Sequence, residues 1–285
     1  MNYFDKTEIT VADGVTFDIK RNVKTILTNV DTGQKTYELY NDSVNNDPFI
    51  FFIFETPYHM AFAHWVYESA IYLPYVKHFT NACLLVNKNP RRDYKTLFFN
   101  IFGIHNIHLL DNDDNTMTEY KNIPTNNICI ISRNFTLNNK LLAQSQMSDN
   151  LSVFKTLVLN FRSQIIDNKF NYIKDIEHLF LPRNSVQNYV GNDRIVDYTK
   201  INNLLSGKKY TEYKTSETVD LNDQIQLVSR SKNIYLDWGS SLFVNGLFSK
   251  ESTIYCINPL MFQLDYPLFN MLYNIIKENN TVILL

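Results

Sequence analysis

From His178 to Lys277 the chain repeats one pattern: a strand-length apolar run, a turn, then a stretch of helical period. HLFLPR (His178–Arg183) reads as a strand and is followed by a loop and a helix over Val196–Leu205. Strand Tyr210–Tyr213, helix Leu221–Ser229, strand Asn233–Leu236, helix Ser240–Phe248, strand Thr253–Ile257 and helix Leu268–Lys277 complete the series. Strands that alternate with helices cannot pair as hairpins. They pair in parallel, with the helices covering the faces of one sheet.

The first half carries a related signal. PFIFFIFET, from Pro48, is a continuous run of large apolar residues, which a strand covered on both faces requires. A helix over Tyr58–His78 follows, then strand Cys83–Val86, helix Arg91–Phe102, strand Ile107–Leu110 and strand Ile128–Ser132. Before Pro48 the side chains alternate polar and apolar around the turn signals Asp13-Gly14 and Asp31-Thr32-Gly33, so short antiparallel strands are expected there. One amphipathic helix spans about 150–166, and a polar connector leads into the second alternation. These features predict two α/β lobes, residues 1–172 and 173–285, with a cleft between them and ligands at the carboxyl ends of the strands.

Composition narrows the function. The 285 residues carry 27 basic and 29 acidic side chains, a net charge of −2, and the basic residues are scattered, so no nucleic-acid partner is expected. The seven glycines form neither GxGxxG nor GxxxxGK[ST], which disfavours ordinary dinucleotide dehydrogenases and P-loop enzymes. Cys83, Cys129 and Cys256 are odd in number, far apart and set in apolar stretches. They read as small buried hydrophobes, not as a disulfide or zinc framework. The first residues, MNYFDKTEIT, lack a signal core and no apolar run is long enough to span a bilayer, so a cytoplasmic protein without a transmembrane segment is expected.

Three segments carry groups suited to chemistry. In AFAHWVYESAIYL, His64 and Glu68 are four apart and share one helix face, where either can take a proton from an attacking hydroxyl; the same spacing also suits a local ion pair. In NIYLDWGSSLFVNGLF a strand runs through Trp238 and Gly239 into a helix opened by Ser240 and Ser241, with Asn245 further along. Free amides at such a start bind phosphate, although a Ser there can equally be an N-cap. In LFLPRNSVQNYVGNDRIVD, Arg183 leaves a strand end and Arg194 follows a Gly-Asn-Asp turn. Either guanidinium can fork onto a diphosphate or pair with a carboxylate such as Asp197.

In this order the segments resemble glycosyltransferase family 61. The resemblance rests on HWVYE, on LPR followed by RIVD, on LNDQIQLV and on WGSSLFVNGLF, and it covers most of residues 50–260. It implies a GT-B type fold of two Rossmann-like lobes and inverting transfer of a sugar from a nucleotide-sugar donor to a hydroxyl of a glycan or polysaccharide, with no required metal or other cofactor. His64 and Glu68 would then be catalytic, and Arg183, Arg194, Trp238, Gly239, Ser240, Ser241 and Asn245 would surround the donor. The sequence departs from the family pattern in three places: Trp238 stands where His usually precedes the Gly, Asp197 where Asn is usual, and Asn245 one residue late.

Two other readings fit the residues. Asp111-Asn112-Asp113 follows the strand IHLL, where a metal-dependent GT-A glycosyltransferase would place the Asp-x-Asp pair that holds Mn²⁺ or Mg²⁺ across a diphosphate. The other is a catalytically inactive relative that binds a glycan or nucleotide-sugar in the same cleft.

Overall fold

A computed structural model describes residues 6–10, 16–21, 25–29, 35–39, 50–53, 62–76, 82–87, 94–105, 107–110, 127–130, 144–169, 173–182, 196–214 and 221–285. The chain divides into two compact units, Met1–Thr136 and Leu137–Leu285.

In the first unit, β1 (Lys6–Thr10) and β2 (Thr16–Arg21) pair antiparallel, and β3 (Thr25–Asn29) pairs with β4 (Lys35–Leu39) in a separate two-stranded sheet. These are the short antiparallel strands expected from the alternating pattern. The apolar run supplies β5 (Ile50–Ile53). After it come α1 (Phe62–Glu68), α2 (Leu73–Val76), β6 (Ala82–Asn87), α3 (Tyr94–Ile101), β7 (Ile107–Leu110) and β8 (Asn127–Ile130). One sheet has the order β1-β2-β8-β5-β6-β7, with β8, β5, β6 and β7 parallel and β2 antiparallel to β8. The single helix expected over Tyr58–His78 is broken. Pro74 has no N–H to give the Ala70 carbonyl, so Leu73 donates to it instead and residues Ala70–Tyr72 tighten into a 3₁₀ turn.

The second unit opens with α4 (Gln144–Lys169), which the sequence reading placed in the first lobe with a boundary at 172. Its buried Phe154, Leu157, Val158, Phe161 and Ile165 recur at helical spacing. Then follow β9 (Ile176–Phe180), α5 (Thr199–Leu205), β10 (Thr211–Glu212), α6 (Leu221–Arg230), β11 (Ser231–Asp237), α7 (Ser240–Phe248), β12 (Thr253–Ile257), α8 (Pro267–Asn279) and β13 (Thr281–Leu284). Helix α4 lies on α7 and α8, which explains why it belongs here and not to the first unit.

The five strands described in this unit are parallel, in the order β10-β9-β11-β12-β13. This is a Rossmann-like, doubly wound sheet: the chain leaves β9 toward one edge and β11 toward the other. Side chains alternate between the two faces. Phe180, Tyr235 and Ile257 meet Ile201 and Leu205 of α5 on one face. Leu179, Ile234, Leu236, Ile254 and Cys256 point the other way and are buried, on the side where α6, α7 and α8 pack in a row. Every α7 residue from Leu242 to Phe248 is buried, so this helix is enclosed all round.

The two edges of the sheet differ. At the amino edge, Lys174 Nζ donates to the carbonyls of Ser229 (2.9 Å) and Ser231 (3.0 Å) and to Ser252 Oγ (2.9 Å), tying together the start of three strands. Burial pulls this ammonium down to about 8, opposed by the charge of Glu251. The carboxyl edge holds the connections into α5, α7 and α8, and the candidate site belongs there.

Candidate functional site

In a sheet of this order, ligands sit outside the carboxyl ends of the two strands where the winding reverses, here β9 and β11. Their ends are neighbours: Leu181 donates its N–H to the Tyr235 carbonyl at 2.9 Å, while Trp238, just past β11, donates to the carbonyl of Ile257 at the end of β12 at 3.1 Å. Strand β11 ends in the buried Asp237. Burial first, and then this carboxylate, pushes the Cys256 thiol up, so Cys256 is the inert buried hydrophobe the sequence suggested. Cys83 and Cys129 lie within β6 and β8, and their side chains are outside the described residues.

Gly239 turns the chain from β11 into α7. Its φ of 92° and ψ of −140° fall where a Cβ is not tolerated, so the turn requires glycine. The two ends of α7 are treated differently. At the carboxyl end Arg162 of α4 donates Nε to the Leu247 carbonyl (2.9 Å) and Nη2 to that of Ser249 (3.0 Å). Asn280 Nδ2 adds longer bonds to Gly246 (3.5 Å) and Ser249 (3.4 Å). A guanidinium there complements the negative end of the helix dipole. At the amino end the N-cap is Gly239, which has no side chain to cap the helix, and the first turn of α7 has no acid. Ser240 at that start is exposed and Ser241 is half-buried. Helix α7 thus presents amides and hydroxyls at the reversal point, with its opposite end neutralised.

The other residues singled out from the sequence have definite surroundings. Asn245 is buried, takes a hydrogen bond from Gln224 Nε2 at 2.7 Å and donates to the Ser241 carbonyl at 2.7 Å. Its amide therefore joins α6 to α7 from within the core. The Trp238 ring is also buried, edge-on to Phe243 and tilted against Tyr273, and its Nε1 donates to Gln263 Oε1 at 2.7 Å. Asp197 accepts from the Thr199 N–H (2.9 Å) and hydroxyl (2.6 Å), which start α5 and hold its carboxyl below the usual range. Arg183 and Arg194 lie outside the described residues, as do Asp111 and Asp113. Among the described residues no group of three or more His, Cys, Asp or Glu is placed to hold a metal ion.

In the first unit, His64 and Glu68 both belong to α1, one helical turn apart. His64 is half-buried, and the Glu68 side chain is outside the described residues. Trp65 between them is buried against Phe98 and Phe99 of α3, fixing the helix by its apolar face. No helix among the described residues is long and apolar enough to cross a membrane.

Arg162, Asn280 and Gln263 were not singled out from the sequence. Each meets residues 25 or more positions away, and no local spacing marks such a contact. No family model matches the chain, nor does any curated protein.

Proposed function

We propose that this protein is an inverting glycosyltransferase of GT-B type, with two Rossmann-like lobes, that moves a sugar from a nucleotide-sugar donor to a hydroxyl of a glycan or polysaccharide. The observation that carries the reading is α7: a glycine-turned helix start at the reversal point of a doubly wound sheet, with glycine as its N-cap and Arg162 neutralising its other end. Such a start suits a diphosphate, and the resemblance to glycosyltransferase family 61 supplies the chemical class.

In this mechanism the acceptor oxygen attacks the anomeric carbon as the bond from that carbon to the phosphate oxygen breaks. Glu68, assisted by His64, takes the hydroxyl proton, and the electron pair leaves with the diphosphate. Arg183, Arg194 and the amides and hydroxyls at Gly239, Ser240 and Ser241 meet the charge that develops on the leaving group. Trp238 and Asn245 act one step back, Trp238 behind the glycine turn and Asn245 by holding α7 to α6 through Gln224.

Transfer from a panel of UDP-, GDP- and CMP-sugars to a glycan acceptor tests this. Glu68→Gln is expected to lower turnover by about 10²- to 10⁴-fold while donor binding is retained. Arg183→Ala is expected to weaken donor binding. Parental turnover in Glu68→Gln contradicts the assignment of the base. Donor binding without transfer in the parent protein marks the catalytically inactive relative.

A further inference from the structure

The described residues include five large apolar side chains well exposed to solvent: Ile173, Tyr210, Met261, Phe262 and Ile283. Ile173 and Tyr210 precede β9 and β10, at the amino edge of the sheet, and Ile283 lies within the edge strand β13. Only Met261 (52% exposed) and Phe262 (58% exposed) are adjacent in the chain, and only they lie beyond the carboxyl ends of the strands, in the β12–α8 connection. Scattered single apolar residues need no explanation, but a pair displayed on the ligand edge of such a sheet does.

The turn that carries them is held at several points. Residues Met261–Asp265 form a 3₁₀ turn, with Gln263 donating to the Leu260 carbonyl (2.9 Å) and Tyr266 to that of Gln263 (3.1 Å). Tyr266 packs edge-on to Phe269, and Pro267 begins α8. The Gln263 side chain accepts from the buried Trp238, whose next residue is Gly239 at the start of α7. One hydrogen bond therefore couples the place of the exposed pair to the helix start. A Phe and a Met carried side by side on a turn held this way offer an apolar surface on which a flat ring can lie.

We infer that Phe262, with Met261 beside it, is the wall on which the base of a nucleoside diphosphate stacks, and that Trp238 is the positioning residue that sets this wall through Gln263. The inference rests on the nucleotide reading of α7 and adds to it the group that tells a nucleotide from a bare diphosphate.

The test is calorimetric titration of the full chain with UDP, GDP and inorganic pyrophosphate. The parent protein is expected to bind one of the nucleotides more tightly than pyrophosphate. Phe262→Ala is expected to weaken that nucleotide by about 5- to 150-fold and leave pyrophosphate unchanged, whereas Phe262→Tyr keeps the parental ratio. Trp238→Phe keeps a buried ring but removes the bond to Gln263, and it is expected to lower the nucleotide-to-pyrophosphate ratio in the same direction. A general loss of folding would affect both probes alike, so the ratio separates positioning from stability. A ratio unchanged in Phe262→Ala, or a parent that binds pyrophosphate as tightly as either nucleotide, overturns the stacking wall and leaves the diphosphate site standing. A parent that binds none of the three overturns both.

Discussion

Two glycines, one opening α7 and one within it, set limits that other residues cannot meet. A Cβ at Gly246 would lie 2.9–3.1 Å from three side-chain atoms of the buried Ile276, so Gly246→Ala is expected to cost about 1–3 kcal/mol in urea unfolding by forcing α7 and α8 apart. At Gly239 the limit is backbone conformation, and Gly239→Ala is expected to cost about 1–3 kcal/mol and to weaken diphosphate binding as well. His178 supplies a pH-dependent feature. Its Nδ1 shares a hydrogen bond with the Tyr235 hydroxyl at 3.1 Å, and burial, then the nearby Lys208, holds its pKa below the ordinary 6.5. Burial raises the Tyr235 phenol to about 12, so the hydroxyl keeps its proton at neutral pH. A folded-state pKa below the unfolded one means that the unfolded chain binds more protons in the interval between them. Stability therefore falls as pH drops below 6.5. Urea midpoints at about pH 7.5 and about pH 5.5 are expected to differ less in His178→Asn than in the parent.

Among the elements, α7 shows most plainly what local sequence can and cannot convey. Its span, its glycine start and its serines are legible in DWGSSLFVNGLF, and the observed Ser240–Phe248 matches the expected bounds. That Asn245 sits in the core is not legible, because an Asn in an apolar helix looks the same whether it meets solvent or Gln224. Nor is Arg162, one of three cations on α4, marked as the cap of a helix 85 residues away. Arg162→Met keeps the length of the side chain but leaves carbonyls at the end of α7 short of donors. It is expected to cost about 1–3 kcal/mol and to weaken diphosphate binding at the far end of the helix. The last strand, β13, is written in TVILL, yet that segment alone does not mark it as a strand. Four apolar or β-branched residues directly after a helix, with no turn glycine, fit a fraying helix end as well as a strand, and pairing with β12 decides it.

For the whole molecule, alternation of strands and helices conveys the α/β class and the all-parallel second sheet, because period and connection length are local properties. The unit boundary is not local. Helix α4 is amphipathic whichever neighbour it joins, and only its seat on α7 and α8 moves the division to Thr136 and Leu137. The order β10-β9-β11-β12-β13 is likewise set by long-range pairing, and it places the start of α7 where a ligand is expected. The central claim is that this start receives the diphosphate of a nucleotide. Its most direct test follows backbone amide resonances of the isotope-labelled full chain during titration with UDP and GDP. The predicted result is that the Gly239, Ser240 and Ser241 amides shift first and furthest with one of the two and saturate together; shifts confined to other residues, or none at millimolar nucleotide, contradict it.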